Sequence, residues 1–214
     1  SDCENKYFDR RTCLRYNPAT QFGDPMATAN QEQQSQLRQL AELILAVAGE
    51  SVTVMKRSAP ERALKLKRQD EWGIYLEFLK IMFNLTDRLS ALYLPVKTQP
   101  QFMDSLEDAV TQQLKNVLEP AFGSGADQIE IMLTVGAAVA ESRQTYERFR
   151  FLVTEDSPVK EEMLKAFGGR VADAMGIAEN AQVFSAATLC ASAVIPAIKA
   201  ILAGDLPPAA TVGT

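Results

Sequence analysis

The side chains best suited to binding chemistry in this sequence are predicted to share one helical face. Arg143, Tyr146 and Arg150 follow at helical spacing and continue the apolar stripe of a long predicted helix. Two guanidinium groups and a phenol on one face could bind a carboxylate or a phosphate, because arginine offers a planar fork of N–H donors. The alternative is that these arginines pair with acidic residues on helix surfaces, such as Glu141 and Glu147.

A second candidate site is an apolar pocket beside a helix that is predicted to end at Leu94. Aromatic and methionine side chains recur on this helix at helical spacing, namely Tyr75, Phe78, Met82 and Phe83. A pocket between it and the apolar C-terminal segment could hold a small apolar or amphipathic molecule, with Arg143 or Arg150 at its polar head. The same spacing is typical of an ordinary helical core, so core packing is the alternative. The polar face of this helix is predicted to be solvated, and it comprises Glu77, Lys80, Asn84, Asp87 and Arg88.

A cluster of basic residues lies next to the single tryptophan, Trp72. Nucleobases can stack on an indole while cations follow the phosphates, which is the pattern of a site for single-stranded nucleic acid. The cluster comprises Lys56, Arg57, Arg62, Lys65, Lys67 and Arg68. However, Glu61, Asp70 and Glu71 are interleaved with it, and the whole chain carries a net charge of −5. We therefore predict a solvated helix surface and expect no nucleic-acid partner.

The sequence contains no histidine, which excludes several classes of site. There can be no Ser-His or Cys-His nucleophile pair, no histidine-ligated zinc, iron or haem, and no imidazole pH switch. The Glu-x-x-His motif of ferritin-like bundles cannot be completed either. No spacing sets a nucleophile beside a base on one helical face. We therefore predict no catalytic residues, no metal site and no cofactor, and we favour a non-enzymatic protein.

Three cysteines are too few for a disulfide framework. Cys190 lies in an apolar segment and is predicted to be an inert thiol with a raised pKa. Cys3 and Cys13 lie in a polar segment and could pair in an oxidising compartment, or supply two ligands to a zinc site shared with another chain. The first residues lack the apolar core of a secretory signal, so a cytoplasmic location is expected.

The elements that position these side chains are predicted to be helices, the first of them over residues 29–56. Its apolar residues alternate at steps of three and four and define a heptad seam of Leu37, Leu40, Ile44, Val47, Ser51 and Val54. Such a seam packs against another helix. That helix belongs either to a second subunit, so that the first four residues form a homodimer interface, or to the same domain.

Turn signals divide the rest of the chain into about five further helices. We predict them over residues 58–94, 102–122, 127–153, 157–176 and 178–202, with an interruption or kink near Gly168-Gly169. No strand alternation competes with this pattern. The sequence thus predicts an all-α fold in which residues 28–203 form a single compact bundle of about six helices. An irregular arm (1–27) precedes the bundle and a flexible tail (204–214) follows it.

The most apolar helix is predicted at Val183–Leu202, and we expect the other helices to surround it. A helix that is apolar on every side needs either protein or lipid around it. Its uncharged run is shorter than the roughly 20 residues that span a bilayer, and Pro196 and Lys199 interrupt it. We therefore predict a buried helix that is kinked or broken near Pro196, and no membrane span.

Two functions remain open from the sequence. The first is a helical module for protein–protein interaction, with self-association as a homodimer included, acting through the heptad seam or the aromatic N-terminal arm. The second is a binding protein for a small apolar or amphipathic ligand held between helices. No motif of a known protein family decides between them.

Overall fold

The computed structural model describes residues 25–122 and 128–205, with side chains over 31–119 and 129–205. Most of the predicted arm and tail, and the predicted Cys3–Cys13 pair, lie outside the described residues. The helices are α1 (Pro25–Ser58), α2 (Pro60–Ala63), α3 (Arg68–Tyr93), α4 (Gln99–Phe122), α5 (Gln128–Tyr146), α6 (Pro158–Ala174), α7 (Ala181–Ala193) and α8 (Ile195–Ala203). The described chain contains no strand, and the predicted all-α bundle is confirmed.

Several helix boundaries differ from the prediction: α1 already begins at Pro25, within the predicted arm, and α4 begins at Gln99. Two larger differences can be traced to particular contacts. The helix predicted over 58–94 is divided into the single turn α2 and the long α3. The division lies before Arg68, where the Asp70 carboxylate accepts a hydrogen bond from the Lys67 N–H at 3.0 Å and closes a new helix start. The helix predicted to reach residue 153 ends at Tyr146. Its terminal carbonyl accepts a hydrogen bond from the Phe149 N–H at 3.1 Å, which closes a tight turn, and a second one at 2.8 Å from Arg88 on α3.

Local signals for helix starts and breaks are confirmed in the second half of the chain. The Ser157 hydroxyl caps α6 by accepting from the Lys160 N–H at 3.2 Å, and Pro158 occupies the first turn. The predicted break near Pro196 separates α7 from α8 at Val194. Proline cannot donate the backbone hydrogen bond that would continue α7.

The centre of the bundle is α3, and not the C-terminal apolar segment that the sequence favoured. α3 packs against α1, α4, α5, α6, α7 and α8 and is buried almost without interruption from Phe78 to Thr86. By contrast, α7 buries only Val183, Ala187 and Ala191, and its Leu189 is 70% exposed. The bulky side chains of α3 remove more apolar area from water than the alanines of α7, which explains why α3 is enclosed.

The C-terminal segment Ala181–Ala203 is long and apolar enough, by length and composition alone, to cross a membrane. Its most apolar window has a mean hydropathy of 1.9, and 39% of that window is buried within the bundle. A core helix of a soluble protein passes the same test, so this feature is weak evidence for a membrane span. The prediction of no span stays a prediction.

The glycine pair in α6 supports close packing and does not interrupt the helix. α6 runs unbroken from Pro158 to Ala174, which corrects the predicted kink at Gly168-Gly169. A Cβ atom on Gly168 would lie 2.9 Å from the Phe184 ring of α7, so this position must be glycine for the two helices to approach so closely. Around Gly169 there is open space.

Candidate functional site

The predicted anion clamp is not assembled in the fold. Tyr146 is fully buried, whereas Arg143 and Arg150 are both exposed. Helical spacing fails to bring them together because α5 ends at Tyr146, so Arg150 lies beyond the helix. The guanidinium that does approach Tyr146 is that of Arg88. Besides the Tyr146 carbonyl, it donates to the Asn84 side chain at 2.8 Å and lies 4.6 Å from the centre of the Phe151 ring.

The predicted apolar pocket is packed core. Phe78, Met82 and Phe83 are buried, and Phe78 meets Phe167 of α6 edge to face with ring centres 5.1 Å apart. Tyr75 is partly buried and its ring stacks on Trp72 at 5.0 Å. Protein side chains therefore occupy the space that the sequence assigned to a ligand, as the alternative interpretation held.

The predicted interface on α1 is covered by the same chain. Leu37, Leu40 and Ile44 are buried, and Val47 is partly buried against the core. α1 packs against α3, α4 and α7, so its seam finds its partners within the domain. This corrects the homodimer interface predicted at these four residues and agrees with the intramolecular alternative.

A buried polar cluster joins α3 to α5. The Lys80 ammonium lies 2.8 Å from a Glu77 oxygen and 2.6 Å from a Glu141 oxygen, and the Ser142 hydroxyl donates to the Lys80 carbonyl at 2.8 Å. Burial lowers the pKa of Lys80, whereas its hydrogen bonds with Glu141 and Glu77 raise it. The raising effects together are larger, so the net shift is upward. The ammonium therefore stays protonated and cannot serve as a nucleophile or a general base.

Two buried oxygens of this cluster have no hydrogen-bond partner among the described residues, namely the Tyr146 hydroxyl and Glu77 Oε2. Burial raises the pKa of Tyr146, the Glu77 charge raises it further, and the charge of Arg170 opposes both. The Tyr146 phenol therefore stays protonated near neutral pH, next to an ammonium that two carboxylates already engage. We assign the cluster to fixing α5 on α3.

Sequence reasoning placed Glu77, Lys80, Asn84 and Arg88 on a solvated face of α3, and this is wrong. Lys80 and Asn84 are buried, while Glu77 and Arg88 are partly buried. The polar face is enclosed because its charges pair within α3 and with α5. A signal was present in the sequence, since Glu77–Lys80 and Asn84–Arg88 have the i,i+3 and i,i+4 spacing of interacting pairs.

The predicted basic cluster separates into bound and exposed cations. Lys56 pairs with Glu71 at 2.6 Å, and Arg62 donates to the Met175 carbonyl at the end of α6. The other four side chains, Arg57, Lys65, Lys67 and Arg68, are exposed, and none forms an ion pair within the described part of the chain.

The outer side of α5 exposes large apolar side chains. Leu133 is 65% exposed and Met132 is 52% exposed, and Ile129 is exposed one turn earlier. Ala137 and Ala140 continue the same side towards the helix end. α5 packs mainly against α3 and α4, so its remaining apolar side faces outwards.

An open groove lies between α8, the start of α6 and the end of α3, with a volume of about 610 Å³. Its apolar lining residues include Val153, Ile195 and Pro196, and its charged lining residues are Lys160, Lys199 and Asp205. Lys160 pairs with Asp156 at 3.2 Å, whereas Lys199 has no ion pair among the described residues. The groove is of the size that small ligands occupy.

The pKa of the Cys190 thiol is raised, in the direction that the sequence predicted. Burial raises its pKa, and a hydrogen bond with Ser51 opposes the shift without reversing it. In residues 25–122 and 128–205 no group of three or more cysteine, aspartate or glutamate side chains is arranged to hold a metal ion.

No protein-family model, curated protein or solved structure matches this chain. Function must therefore be inferred from the surfaces that the fold leaves open.

Proposed function

We propose that this protein is a non-enzymatic helical interaction module that pairs with a second copy of itself through the outer side of α5. The observation that carries the proposal is the exposure of Met132 and Leu133 on a helix whose apolar residues are not confined to the buried side. Adjacent large apolar side chains on a monomer surface are typical of protein–protein contacts. The two other helices of the domain that contact α5 leave this side uncovered.

A second copy is a suitable partner because large and small residues lie at opposite ends of this side. Met132 and Leu133 lie in the first half of α5, and Ala137 and Ala140 follow one to two turns later. In an antiparallel two-fold pairing, the large side chains of one copy lie against the alanines of the other. The two helices can then approach closely without burying a charge between these residues.

The expected dimer is weak. The apolar side from residue 129 to residue 140 covers about three turns, or roughly 17 Å of helix. A stable interface usually buries about 800 Å² on each partner, which is more than one such stripe offers. We therefore expect a dimer with a dissociation constant in the micromolar range, in equilibrium with the folded monomer.

Sedimentation equilibrium over about 1–200 µM protein tests the proposal. Leu133→Glu places a charge at the centre of the pairing and is expected to give a monomer throughout this range. Leu189→Glu is the matched control, because Leu189 is equally exposed but lies on α7. A wild-type monomer at every concentration contradicts the proposal. So does a dimer that Leu189→Glu abolishes while Leu133→Glu leaves it intact.

We also propose an alternative function, the binding of a small amphipathic anion in the groove beside α8. The observation that favours it is that two lysines, Lys160 and Lys199, line the groove together with apolar residues. A carboxylate or phosphate head would pair with Lys199, while a short alkyl chain would lie against Ile195 and Pro196.

Calorimetric titration with decanoate tests this alternative. Lys199→Met retains the alkyl length of the side chain and removes its charge, so it is expected to weaken binding at least about tenfold. Lys165→Met is the control, because Lys165 is exposed on α6 and does not line the groove. Absence of binding by the wild type, or equal loss in both variants, removes the alternative.

A further inference from the structure

The junction between α1 and α3 presents an apolar side chain surrounded by cations. We refer to residues 57–72 as the α1–α3 corner. The single turn α2 and the turn that follows it direct Leu64 outwards, and this side chain is 91% exposed. The adjacent Lys65, Lys67 and Arg68 are also exposed. Exposing a large aliphatic side chain to water costs free energy. The charged residues around Leu64 therefore indicate what kind of binding surface would cover it.

The acidic residues of the corner offset only part of this positive charge. Residues 57–72 contain five cations and three acids, which leaves a formal charge of +2. Glu71 is also engaged by Lys56 at 2.6 Å, whereas Arg57, Lys65, Lys67 and Arg68 are exposed. The corner is therefore locally basic on a chain whose net charge is −5.

The corner is also held in place. The Lys56–Glu71 ion pair ties the end of α1 to the start of α3, and Arg62 donates to the Met175 carbonyl at the end of α6. Trp72 lies one helical turn after Arg68, and one face of its ring is covered by Tyr75 at 5.0 Å. Leu64 and its cations thus project from a fixed scaffold, which lowers the entropy lost on docking.

We propose that the α1–α3 corner docks on a lipid surface that carries anionic headgroups. Leu64 enters the boundary between headgroups and acyl chains, and the four cations contact the phosphates around it. The indole of Trp72 lies at headgroup depth, where aromatic side chains are favoured. A lipid surface suits the corner better than nucleic acid does, because the most exposed side chain is aliphatic and the indole has one face already covered.

The attachment is expected to be peripheral and sensitive to salt. Each lysine or arginine near an anionic surface strengthens binding by about fivefold, and one inserted leucine adds a contribution of similar size. Because the chain is acidic overall, the corner should also orient the molecule, with the bulk of the bundle held away from the membrane.

Sedimentation with vesicles tests the proposal, using phosphatidylcholine alone and phosphatidylcholine with about one third phosphatidylserine. The wild type is expected to bind only the anionic vesicles, and to release them as salt is raised. Binding should also shift the emission of Trp72, the single tryptophan, to shorter wavelength. Lys65→Gln/Lys67→Gln is expected to weaken binding about 25-fold, and Leu64→Asn about fivefold.

Matched controls separate the corner from general charge and general hydrophobicity. Lys97→Gln/Lys165→Gln removes two exposed lysines elsewhere, and Leu152→Asn removes an exposed leucine elsewhere. Both variants are expected to bind vesicles like the wild type. Circular dichroism establishes that every variant is folded, which is expected because all six side chains are exposed.

Three results would overturn the proposal. The first is equal binding of the wild type to neutral and anionic vesicles, and the second is equal weakening by the corner variants and their controls. The third is tighter binding to a single-stranded oligonucleotide than to anionic vesicles, with Leu64→Asn unchanged in affinity for the oligonucleotide. That result would assign the corner to nucleic acid.

Discussion

Replacing Lys80 by methionine tests whether the buried ion pairs hold α5 on α3. The Lys80 side chain is 10% exposed and that of Glu77 is 12% exposed, so each is nearly sealed from water. Methionine fills the space of the lysine stem but leaves the Glu77 carboxylate buried without its cation. Leaving one partner of a buried ion pair uncompensated costs about 3–5 kcal/mol. We expect the free energy of unfolding at pH 7 to fall by about that amount.

The second carboxylate that Lys80 contacts provides an internal comparison. Glu141 is 54% exposed, so water screens its attraction to Lys80 and solvates it when the pair is broken. Glu141→Gln is therefore expected to cost no more than about 1 kcal/mol. Glu77→Met/Lys80→Met removes both buried charges together and is expected to recover most of the stability that Lys80→Met loses.

Urea unfolding followed by circular dichroism measures these differences. Because the folded-state pKa of Lys80 is raised, the stability from its pairing is fully present below the ordinary value of 10.5 and is lost as pH rises through the folded value. Measurements at pH 7 therefore report the intact pair. A loss below about 1 kcal/mol in Lys80→Met, or additive losses in the double variant, would refute this account of the cluster.

Three further changes test the packing and the buried titratable groups. Gly168→Ala is expected to lower the free energy of unfolding by about 1–3 kcal/mol, because the added Cβ meets the Phe184 ring. Gly169→Ala is expected to raise it by about 0.5–1 kcal/mol. Chemical denaturation of both variants measures whether the two effects have opposite signs. Tyr146→Phe removes a buried hydroxyl without a described partner, so it should leave stability at pH 7 unchanged or raise it by about 1 kcal/mol. Because burial raises the pKa of Tyr146, the wild type should lose stability as pH rises above 10.0, and the phenylalanine variant should lose less in a pH series of urea unfolding. Burial, together with the neighbouring Asp104 and Asp108, raises the pKa of Glu107. The stability that protonated Glu107 confers is therefore lost as pH rises through its folded-state pKa. Glu107→Gln should raise the melting temperature at pH 7 and have little effect at pH 4.

Each of these changes has a clear contrary result. Equal effects of alanine at the two adjacent glycines would mean that the α6–α7 contact is looser than described. A large loss in Tyr146→Phe would mean that the hydroxyl is hydrogen-bonded after all. A pH-independent gain in Glu107→Gln would remove ionisation as its cause.

Local signals in the sequence predicted the helix class, several starts and the break near Pro196. These features are decided within a few residues, by a hydroxyl that caps an N–H or by a proline that cannot donate one. Ser157 at the start of α6 is an example. The prediction failed at the start of α3, although the Asp70–Lys67 contact that forms it is local, and at the end of α5, where a distant residue takes part. Arg88 contacts the end of α5 from a different helix, 58 residues away in sequence.

The candidate sites were predicted less well than the fold, because sequence spacing reports the direction of a side chain and says little about its neighbours. Lys80 was assigned to solvent since it shares a face with other polar residues, yet Glu141 arrives from α5 and seals it. Tyr146 and Arg143 were grouped by spacing, and the fold buries the first and exposes the second. Such outcomes depend on which helices meet, and that is settled by the packing of the whole bundle.

The same limit explains why α5 is the surface to test first for partners. A helix that is polar on one side indicates which face is exposed, but the apolar residues of α5 are spread around the helix and indicate no single buried face. The packing of the bundle then decides which side is exposed, because α3 and α4 cover two sides of α5 and leave Met132 and Leu133 in solvent. A charged or polar residue at either position would be the ordinary choice for a permanently solvated surface. Neither Met132 nor Leu133 is charged or polar, and the packing of α5 within the domain is already complete. We therefore expect a second chain at this surface.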